Sequence, residues 1–204
     1  MAESKEKITL KIFQPFVINL INILNLKGKQ MKYIENLIRN IPDFPKEGIQ
    51  FKDITPVLAD AEAFKKVIEW YALSVEAAGG CDVIAGIESR GFIFGSALSH
   101  KLNKGFVPIR KPGKLPFTTH RETYELEYGS DTIEIHTDAI KKGARVAIID
   151  DLLATGGTAK AAINLIKKAG GEVACVAFII ELDFLQGRER LKLPTEKIFS
   201  FVHY

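Results

Sequence analysis

The sequence has few of the residues that bind metals or cross-link chains. Its two cysteines, Cys81 and Cys175, each lie in or beside an apolar run without metal-ligand spacing, and its four histidines lack the H-x-x-x-H pattern of a zinc site. Two such cysteines do not make a disulfide framework. We therefore predict buried, reduced thiols and a cytoplasmic location.

The chain also lacks a strong charge of one sign and an apolar run of membrane length. It has 28 Lys and Arg against 25 Asp and Glu, a net charge of +3 that is too small to indicate binding to nucleic acid or an anionic membrane. The apolar stretch at residues 15–26 is interrupted by three asparagines and is shorter than the roughly 20 residues that a spanning helix needs. It has the length of the apolar region of a signal peptide, but we do not expect one, because acids precede the stretch and no small-residue cleavage site follows. We predict neither a nucleic-acid partner nor a membrane partner.

The composition is that of an ordinary globular protein. Hydrophobic residues make up 47% and charged residues 26%, and 204 residues fit one domain with a substantial core. Residues 1–30 lack the patterns found later in the chain. We interpret them as a non-essential extension, with Met31 as the usual first residue and a single domain at 31–204. An amphipathic helix that docks on the domain or on a partner is the alternative.

Beyond Met31, helix and strand patterns alternate. Apolar runs lie within residues 82–87, 105–109, 146–149 and 173–180, and segments with helical spacing separate them. Apolar strands without polar alternation are typical of a parallel sheet that is covered on both faces. We predict an α/β fold with ligands at the carboxyl ends of the strands.

The run VAIIDDLLATGGT at residues 146–158 carries the most chemical information. Asp150 and Asp151 come where the apolar strand is expected to end, and a turn of small residues leads into a helical pattern. The N–H groups at a helix N-terminus bind anions such as phosphate. The segment is not a Walker A loop, and the chain has no G-x-G-x-x-G. It predicts a sugar-phosphate site made of Asp150, Asp151, Ala154, Thr155, Gly156, Gly157 and Thr158.

Two cationic loops follow other strands of the expected sheet. The loop ESRG at 88–91 carries Arg90, whose forked guanidinium suits phosphate oxygens. The segment RKPGK at 110–114 begins a polar stretch, for which a solvated hairpin and a closing lid are both consistent with the residues alone.

Five motifs occur together in one order: GIQFKDITPVL after Phe44-Pro45, AGIESRGF, RKPGKLP, LEYG and the run at 146–158. In these motifs the chain from about Met31 onward resembles the type I phosphoribosyltransferases, and among them those that act on adenine. The resemblance implies a central, mostly parallel sheet flanked by helices, a small N-terminal hood at about 31–60 and a flexible lid hairpin at about 110–129. It also implies a homodimer and Mg²⁺ that is carried by the substrate.

The implied activity is transfer of a phosphoribosyl group from phosphoribosyl pyrophosphate to adenine, giving AMP and pyrophosphate. By resemblance, Ser89, Arg90, Lys111 and Lys114 hold pyrophosphate, and a cis peptide precedes Ser89. Asp150 and Asp151 hold the ribose hydroxyls and Mg²⁺-bound water, without a direct metal ligand. Glu127 is the implied acid/base, and with Arg90 and Lys111 it forms the catalytic set. The residues alone indicate instead that Glu127 is an acid on a strand surface.

The resemblance places adenine between Phe51 and Leu182, with Gln50 and Lys52 beside Phe51. Phe51 taken alone is typical of a core residue. Two other functions remain open: a phosphoribosyltransferase for xanthine or guanine, and a non-catalytic sensor of phosphoribosyl pyrophosphate. Sensors of that kind carry a DNA-binding module with a basic helix, and residues 1–30 contain none.

Overall fold

A computed structural model describes residues 28–125 and 129–204. The predicted acid/base Glu127 and residues 1–27 of the predicted extension lie outside these ranges. The chain divides into two compact units, Met1–Leu73 and Ser74–Tyr204. Each unit is described in turn.

The first unit combines short helices with a two-stranded hairpin. Helix α1 (Lys29–Leu37) precedes the antiparallel strands β1 (Arg39–Pro42) and β2 (Gln50–Asp53), which are followed by helix α2 (Thr55–Ala59). The long helix α3 (Ala61–Ala77) begins in this unit, and its residue Val67 is fully buried, as are Ile34 of α1 and Val57 of α2. Helix α1 begins before Met31, so the predicted boundary between extension and domain falls within a helix.

The second unit is built on a five-stranded sheet with all strands parallel. Its order is β4 (Gly105–Ile109), β3 (Val83–Ile87), β7 (Arg145–Leu153), β8 (Glu172–Glu181) and β9 (Ile198–His203). The helices are α4 (Arg90–Leu102), α5 (Gly157–Lys168) and the short α6 (Gly187–Leu191), with 3₁₀ turns at Asp183–Leu185 and Thr195–Lys197. The predicted α/β architecture with a central parallel sheet is therefore confirmed.

Helices cover both faces of this sheet. Ala85 and Ile148 of the strands form a core cluster with Ile163 of α5. Gly86 points to the other face, because side chains alternate along a strand. A Cβ atom on Gly86 would lie 2.9 Å from the carbonyl oxygen of Gly91, so this glycine allows α4 to approach the sheet closely.

Strand β7 is longer than the apolar run that predicted it. Asp150 and Asp151 lie within the strand, whereas we expected the strand to end at these residues. The reason is the neighbouring strand: Asp150 pairs with Phe178 and Leu152 with Ile180, so the ladder with β8 continues through the acids. Burial along β8 outweighs the local polarity of the two carboxylates.

A hairpin projects from the edge of the sheet beside β4. Strands β5 (Thr119–Glu125) and β6 (Ser130–His136) pair antiparallel, and Glu134 exchanges two backbone hydrogen bonds with Arg110, of 2.9 and 2.7 Å. The predicted lid segment 110–129 contains β5, and β6 lies beyond it. Glu122 anchors the hairpin to α5, since it accepts a 2.7 Å hydrogen bond from Asn164 and pairs with Lys168.

Both cysteines are free and buried, as predicted. Burial raises the pKa of Cys175 to about 12. Among the residues described, no helix combines the length and the apolar character needed to cross a bilayer.

Candidate active site

A cavity of about 370 Å³ opens at the carboxyl ends of β3 and β7 in the second unit. It brings together most of the residues predicted for the ribose phosphate and pyrophosphate. These are Ser89, Arg90, Lys111, Asp150, Asp151, Ala154, Thr155, Gly156, Gly157 and Thr158. The parallel sheet explains this convergence, because loops that are far apart in sequence leave neighbouring strands at one edge.

The small-residue turn ends at the N-terminus of α5. Gly156 has a φ of +80°, a left-handed conformation that strongly favours glycine, and its carbonyl accepts the hydrogen bond from Lys160 that starts the helix. The N–H groups of the first turn, which have no partner within the helix, make this end of α5 suited to a phosphate group.

Two carboxylates lie beside this turn, that of the buried Asp151 and that of the half-buried Asp150. Asp151 is 3% exposed, and Arg90 Nη1 lies 3.0 Å from its Oδ2. Burial raises the pKa of Asp151, and Arg90 opposes that change. Burial also raises the pKa of Asp150 well above its ordinary value, and the neighbouring charge of Asp151 raises it further. Two neighbouring carboxylates repel each other when both are ionised. The pair is therefore suited to a ligand that is cationic or that carries hydroxyl groups.

Glu88 joins the two cationic loops. Its carboxylate accepts hydrogen bonds from Arg110 Nε and Nη2, both 3.2 Å, from the Lys111 backbone N–H at 3.1 Å and from Lys114 Nζ at 2.7 Å. The predicted pyrophosphate ligand Lys114 therefore binds Glu88 and does not line the cavity. The peptide between Glu88 and Ser89 is cis, which confirms that prediction.

Lys111 reaches the cavity beside two side chains of the hairpin. Its ammonium group pairs with Asp131 and lies 6.0 Å from the centre of the Tyr124 ring, while the Tyr124 hydroxyl donates to Asp131 Oδ2 at 3.3 Å. Sequence reasoning missed Tyr124 and Asp131. Their proximity follows from the register of β5 and β6, in which these two residues are direct partners, and residue types alone do not give that register.

Comparison with known proteins agrees with this geometry. The model of the phosphoribosyl transferase domain matches residues 54–201, which is more than half of the chain.

The chain belongs to the phosphoribosyltransferase family.

Its relatives include an adenine phosphoribosyltransferase of Acidobacterium capsulatum, which is 55% identical over 172 residues, 84% of this chain and 93% of the relative. Another, of Acetivibrio thermocellus, is 59% identical over 76% of this chain and 91% of the relative.

The crystal structure of adenine phosphoribosyltransferase from Thermoanaerobacter pseudethanolicus superposes with a TM-score of 0.81 at 52% identity, covering 85% of this chain and 99% of the other. The yeast enzyme, solved in complex with adenine and an imino-altritol bisphosphate, gives 0.80 at 42% identity, covering 84% of this chain and 98% of the other. The predicted type I fold is confirmed.

The residues predicted for the purine belong to both units of this phosphoribosyltransferase. Gln50, Phe51 and Lys52 form β2 of the first unit, where the Phe51 ring meets Phe44 edge-on at 5.2 Å. Leu182 follows β8 in the second unit and is partly buried. None of these four residues lines the described cavity.

The segment around Leu182 is fixed from two sides. Its backbone N–H donates to Leu153 at 2.9 Å. The neighbouring Glu181 is 4% exposed, and its carboxylate accepts hydrogen bonds from Arg188 Nε at 3.0 Å and Nη2 at 2.6 Å and from the Ser200 hydroxyl. This buried network holds the end of β8, and nothing in the spacing of these residues predicted it.

Proposed function

We propose that this chain transfers the 5-phosphoribosyl group of phosphoribosyl pyrophosphate to adenine, forming AMP and releasing pyrophosphate. The observation that carries the proposal is one cavity that combines a phosphate turn, an acidic pair and cations from two loops. The relatives named above as adenine phosphoribosyltransferases support adenine as the acceptor. In this proposal the ribose 5-phosphate sits on the turn at 154–158, and its hydroxyls are bound by Asp150 and Asp151.

The leaving group is assigned to the other side of the cavity. Ser89, Arg90 and Lys111 line that side, and Lys114 lies just outside it on Glu88. Cations that are placed in advance stabilise the negative charge that develops on pyrophosphate as its bond to the sugar breaks. Lys111 and Arg90 each hold a carboxylate here, Asp131 and Asp151, and phosphate oxygens offer the same kind of partner.

The reaction is a displacement at the anomeric carbon. The bond from this carbon to the pyrophosphate oxygen breaks and its electron pair leaves with pyrophosphate, while a ring nitrogen of adenine forms the new bond. The proton lost from adenine passes to Glu127 in the assignment that the family resemblance supports. Phe51 and Leu182, with Gln50 and Lys52, are assigned to the purine on the same basis.

The acidic pair also fits the metal that this chemistry uses. Asp150 and Asp151 offer carboxylate oxygens, the donors that Mg²⁺ and its bound water prefer. When bound with the substrate, Mg²⁺ would supply positive charge that offsets the charge of the phosphate groups. We assign the carboxylates to metal-bound water, because Arg90 already pairs with Asp151.

One assay tests the function. Purified protein is given Mg²⁺, phosphoribosyl pyrophosphate and adenine, hypoxanthine, guanine or xanthine in turn, and released pyrophosphate is measured. We expect turnover with adenine alone. Turnover with guanine or xanthine would reassign the base, and binding of phosphoribosyl pyrophosphate without turnover would indicate a sensor.

Two further parts of the proposal concern the whole protein. The family resemblance supports a homodimer, which the mass of the protein in solution would show. Free buried cysteines are consistent with a cytoplasmic location, as is the salvage reaction itself.

A further inference from the structure

Glu88 is the meeting point of the two loops that face the proposed pyrophosphate. Its side chain is 12% exposed, and each carboxylate oxygen accepts two hydrogen bonds from the segment 110–114. Oε1 contacts Arg110 Nη2 and Lys114 Nζ, while Oε2 contacts Arg110 Nε and the Lys111 N–H. All these partners are donors, so the side chain at position 88 must accept hydrogen bonds at both of its terminal atoms.

The carboxylate is ionised at neutral pH. Burial raises the pKa of Glu88, but hydrogen bonds from Arg110, Lys114 and the Lys111 N–H outweigh it, and the pKa is lowered to about 2. Charged hydrogen bonds of this kind are the strong ones in proteins.

These contacts fix the backbone from which Lys111 enters the cavity. The Lys111 N–H is held by Glu88, and the preceding residue Arg110 exchanges two backbone hydrogen bonds with Glu134. Glu88 is also the direct neighbour of Ser89 and Arg90. One carboxylate therefore sets the distance between the loop at 88–91 and the cations of the segment 110–114.

We propose that Glu88 is a positioning residue for the pyrophosphate subsite: it acts through Lys111, Arg110 and Lys114 and leaves the ribose 5-phosphate turn unaffected. The inference rests on the proposed function, in which pyrophosphate lies on these loops. It predicts different effects of a change at Glu88 on the binding of pyrophosphate and on the binding of AMP. Pyrophosphate depends on the loops that Glu88 joins, whereas AMP depends on the phosphate turn and the base.

The test is Glu88→Gln, with the affinities for pyrophosphate and for AMP measured by titration calorimetry on the full chain. The glutamine keeps the size of the side chain but turns an NH₂ group towards donors, so half of the network is lost. Loss of charged hydrogen bonds predicts pyrophosphate binding that is about tenfold weaker or more, with AMP binding unchanged. Glu88→Asp, which keeps the charge, is expected to recover part of the loss.

Glu62→Gln is the matched control. Glu62 also pairs with a lysine, Lys66, but on an exposed helix face of the first unit, and both affinities are expected to stay as in the wild type. Arg110→Gln removes the other partner of the network and is expected to reproduce the selective loss of pyrophosphate if Glu88→Gln does not fold.

The outcomes are distinct. Equal weakening of AMP and pyrophosphate would show that Glu88 only stabilises the fold. Unchanged pyrophosphate binding would show that Glu88 does not position the subsite, and tighter binding would show that Glu88 competes for the cations. Either result would overturn the inference. A wild-type protein that binds neither ligand and does not turn over adenine would instead refute the proposed function.

Discussion

Arg90 and Asp151 contact each other across the cavity, and both are assigned to substrate. Arg90 Nη1 lies 3.0 Å from Asp151 Oδ2, and Asp151 is almost fully buried. The ion pair compensates the charge of the buried Asp151 carboxylate, because an unpaired charge in the protein interior is strongly destabilising. Each side chain therefore has a partner before the substrate arrives.

Removing the charged side chains that are assigned to the substrates should slow the reaction. We expect Arg90→Ala, Asp151→Ala and Glu127→Ala each to lower the turnover rate by about 10²-fold or more, the effect typical of one lost electrostatic contact. The measurement is pyrophosphate release with adenine. Lys101→Ala, at an exposed position of the same helix as Arg90, is the control. Near-normal turnover in all three variants would refute the site assignment.

We expect the Asp150 carboxylate to destabilise the folded protein at neutral pH. Burial and the charge of Asp151 raise its pKa, so the folded state disfavours its ionised form. This destabilisation is absent well below the ordinary value of 3.8, and it grows as pH rises above that value. We expect Asp150→Asn to raise the midpoint of thermal unfolding at neutral pH by about 2–4 °C, with reduced activity.

Asp138→Asn, at an exposed turn, is the control for Asp150 and should not change the midpoint. The gain from Asp150→Asn should disappear as the pH is lowered towards about 4. A lower midpoint at neutral pH would show that the carboxylate stabilises the fold through its hydrogen bonds.

Glu88 should have the opposite pH dependence. Its pKa is lowered from 4.5 to about 2, so its contribution to stability is complete above the ordinary value and is lost as pH falls towards 2. We expect the difference in unfolding free energy between wild type and Glu88→Gln to shrink over this range. Urea titrations at several acidic pH values would show it, and a constant difference would contradict the lowered pKa.

At the scale of elements, the phosphate turn rests on α6. A Cβ atom on Gly187 would lie 2.0 Å from the carbonyl oxygen of Ala154 and 2.9 Å from the nitrogen of Gly156. A Cβ atom on Gly156 would in turn lie 2.4 Å from the carbonyl oxygen of Gly187. The backbone of α6 at Gly187 contacts the backbone of the turn at Ala154 and Gly156, with no side chain between them. Helix α6 therefore determines the position of the turn.

Gly187→Ala should therefore displace the turn. We expect weaker binding of both AMP and phosphoribosyl pyrophosphate, by about tenfold, since each loses aligned N–H donors at its 5′-phosphate. Gly105→Ala is the control, because a Cβ atom there would meet Val83 at an ordinary 3.6 Å. Unchanged AMP affinity in Gly187→Ala would show that the turn adapts.

The elements differ in how far sequence predicts them. Strands β3, β4, β7 and β8 were predicted from unbroken apolar runs, because burial on both faces leaves that pattern in the sequence. The phosphate turn was predicted from Gly156 and Gly157 between a strand and a helix. The continuation of β7 through Asp150 and Asp151 was not, since it depends on pairing with Phe178 and Ile180.

Contacts between loops could not be predicted from the sequence either. Glu88 meets Arg110 because their strands are neighbours in the sheet, and Tyr124 meets Asp131 because of the register of a hairpin. The cis peptide before Ser89 came from the family resemblance and from no pattern in the residues. The role of Glu127 remains a prediction.

At the scale of the whole molecule, the chain is longer than several of the relatives it matches. The adenine phosphoribosyltransferase of Syntrophotalea carbinolica is matched over 100% of its length by 85% of this chain. We expect a chain that begins at Met31 to keep its solubility and its turnover with adenine. Because α1 begins at Lys29, a second chain that begins at Gly28 controls for damage to that helix. Loss of activity in both would show that residues 1–27 contribute to function.

The strand order has a consequence for synthesis on the ribosome. Strand β3 lies between β4, which follows it closely, and β7, which begins about sixty residues after β3 ends. At bacterial and eukaryotic elongation rates those residues take roughly 3–12 seconds to emerge. During that interval one edge of the apolar strand β3 has no partner strand, so aggregation of the nascent polypeptide competes with completion of the sheet.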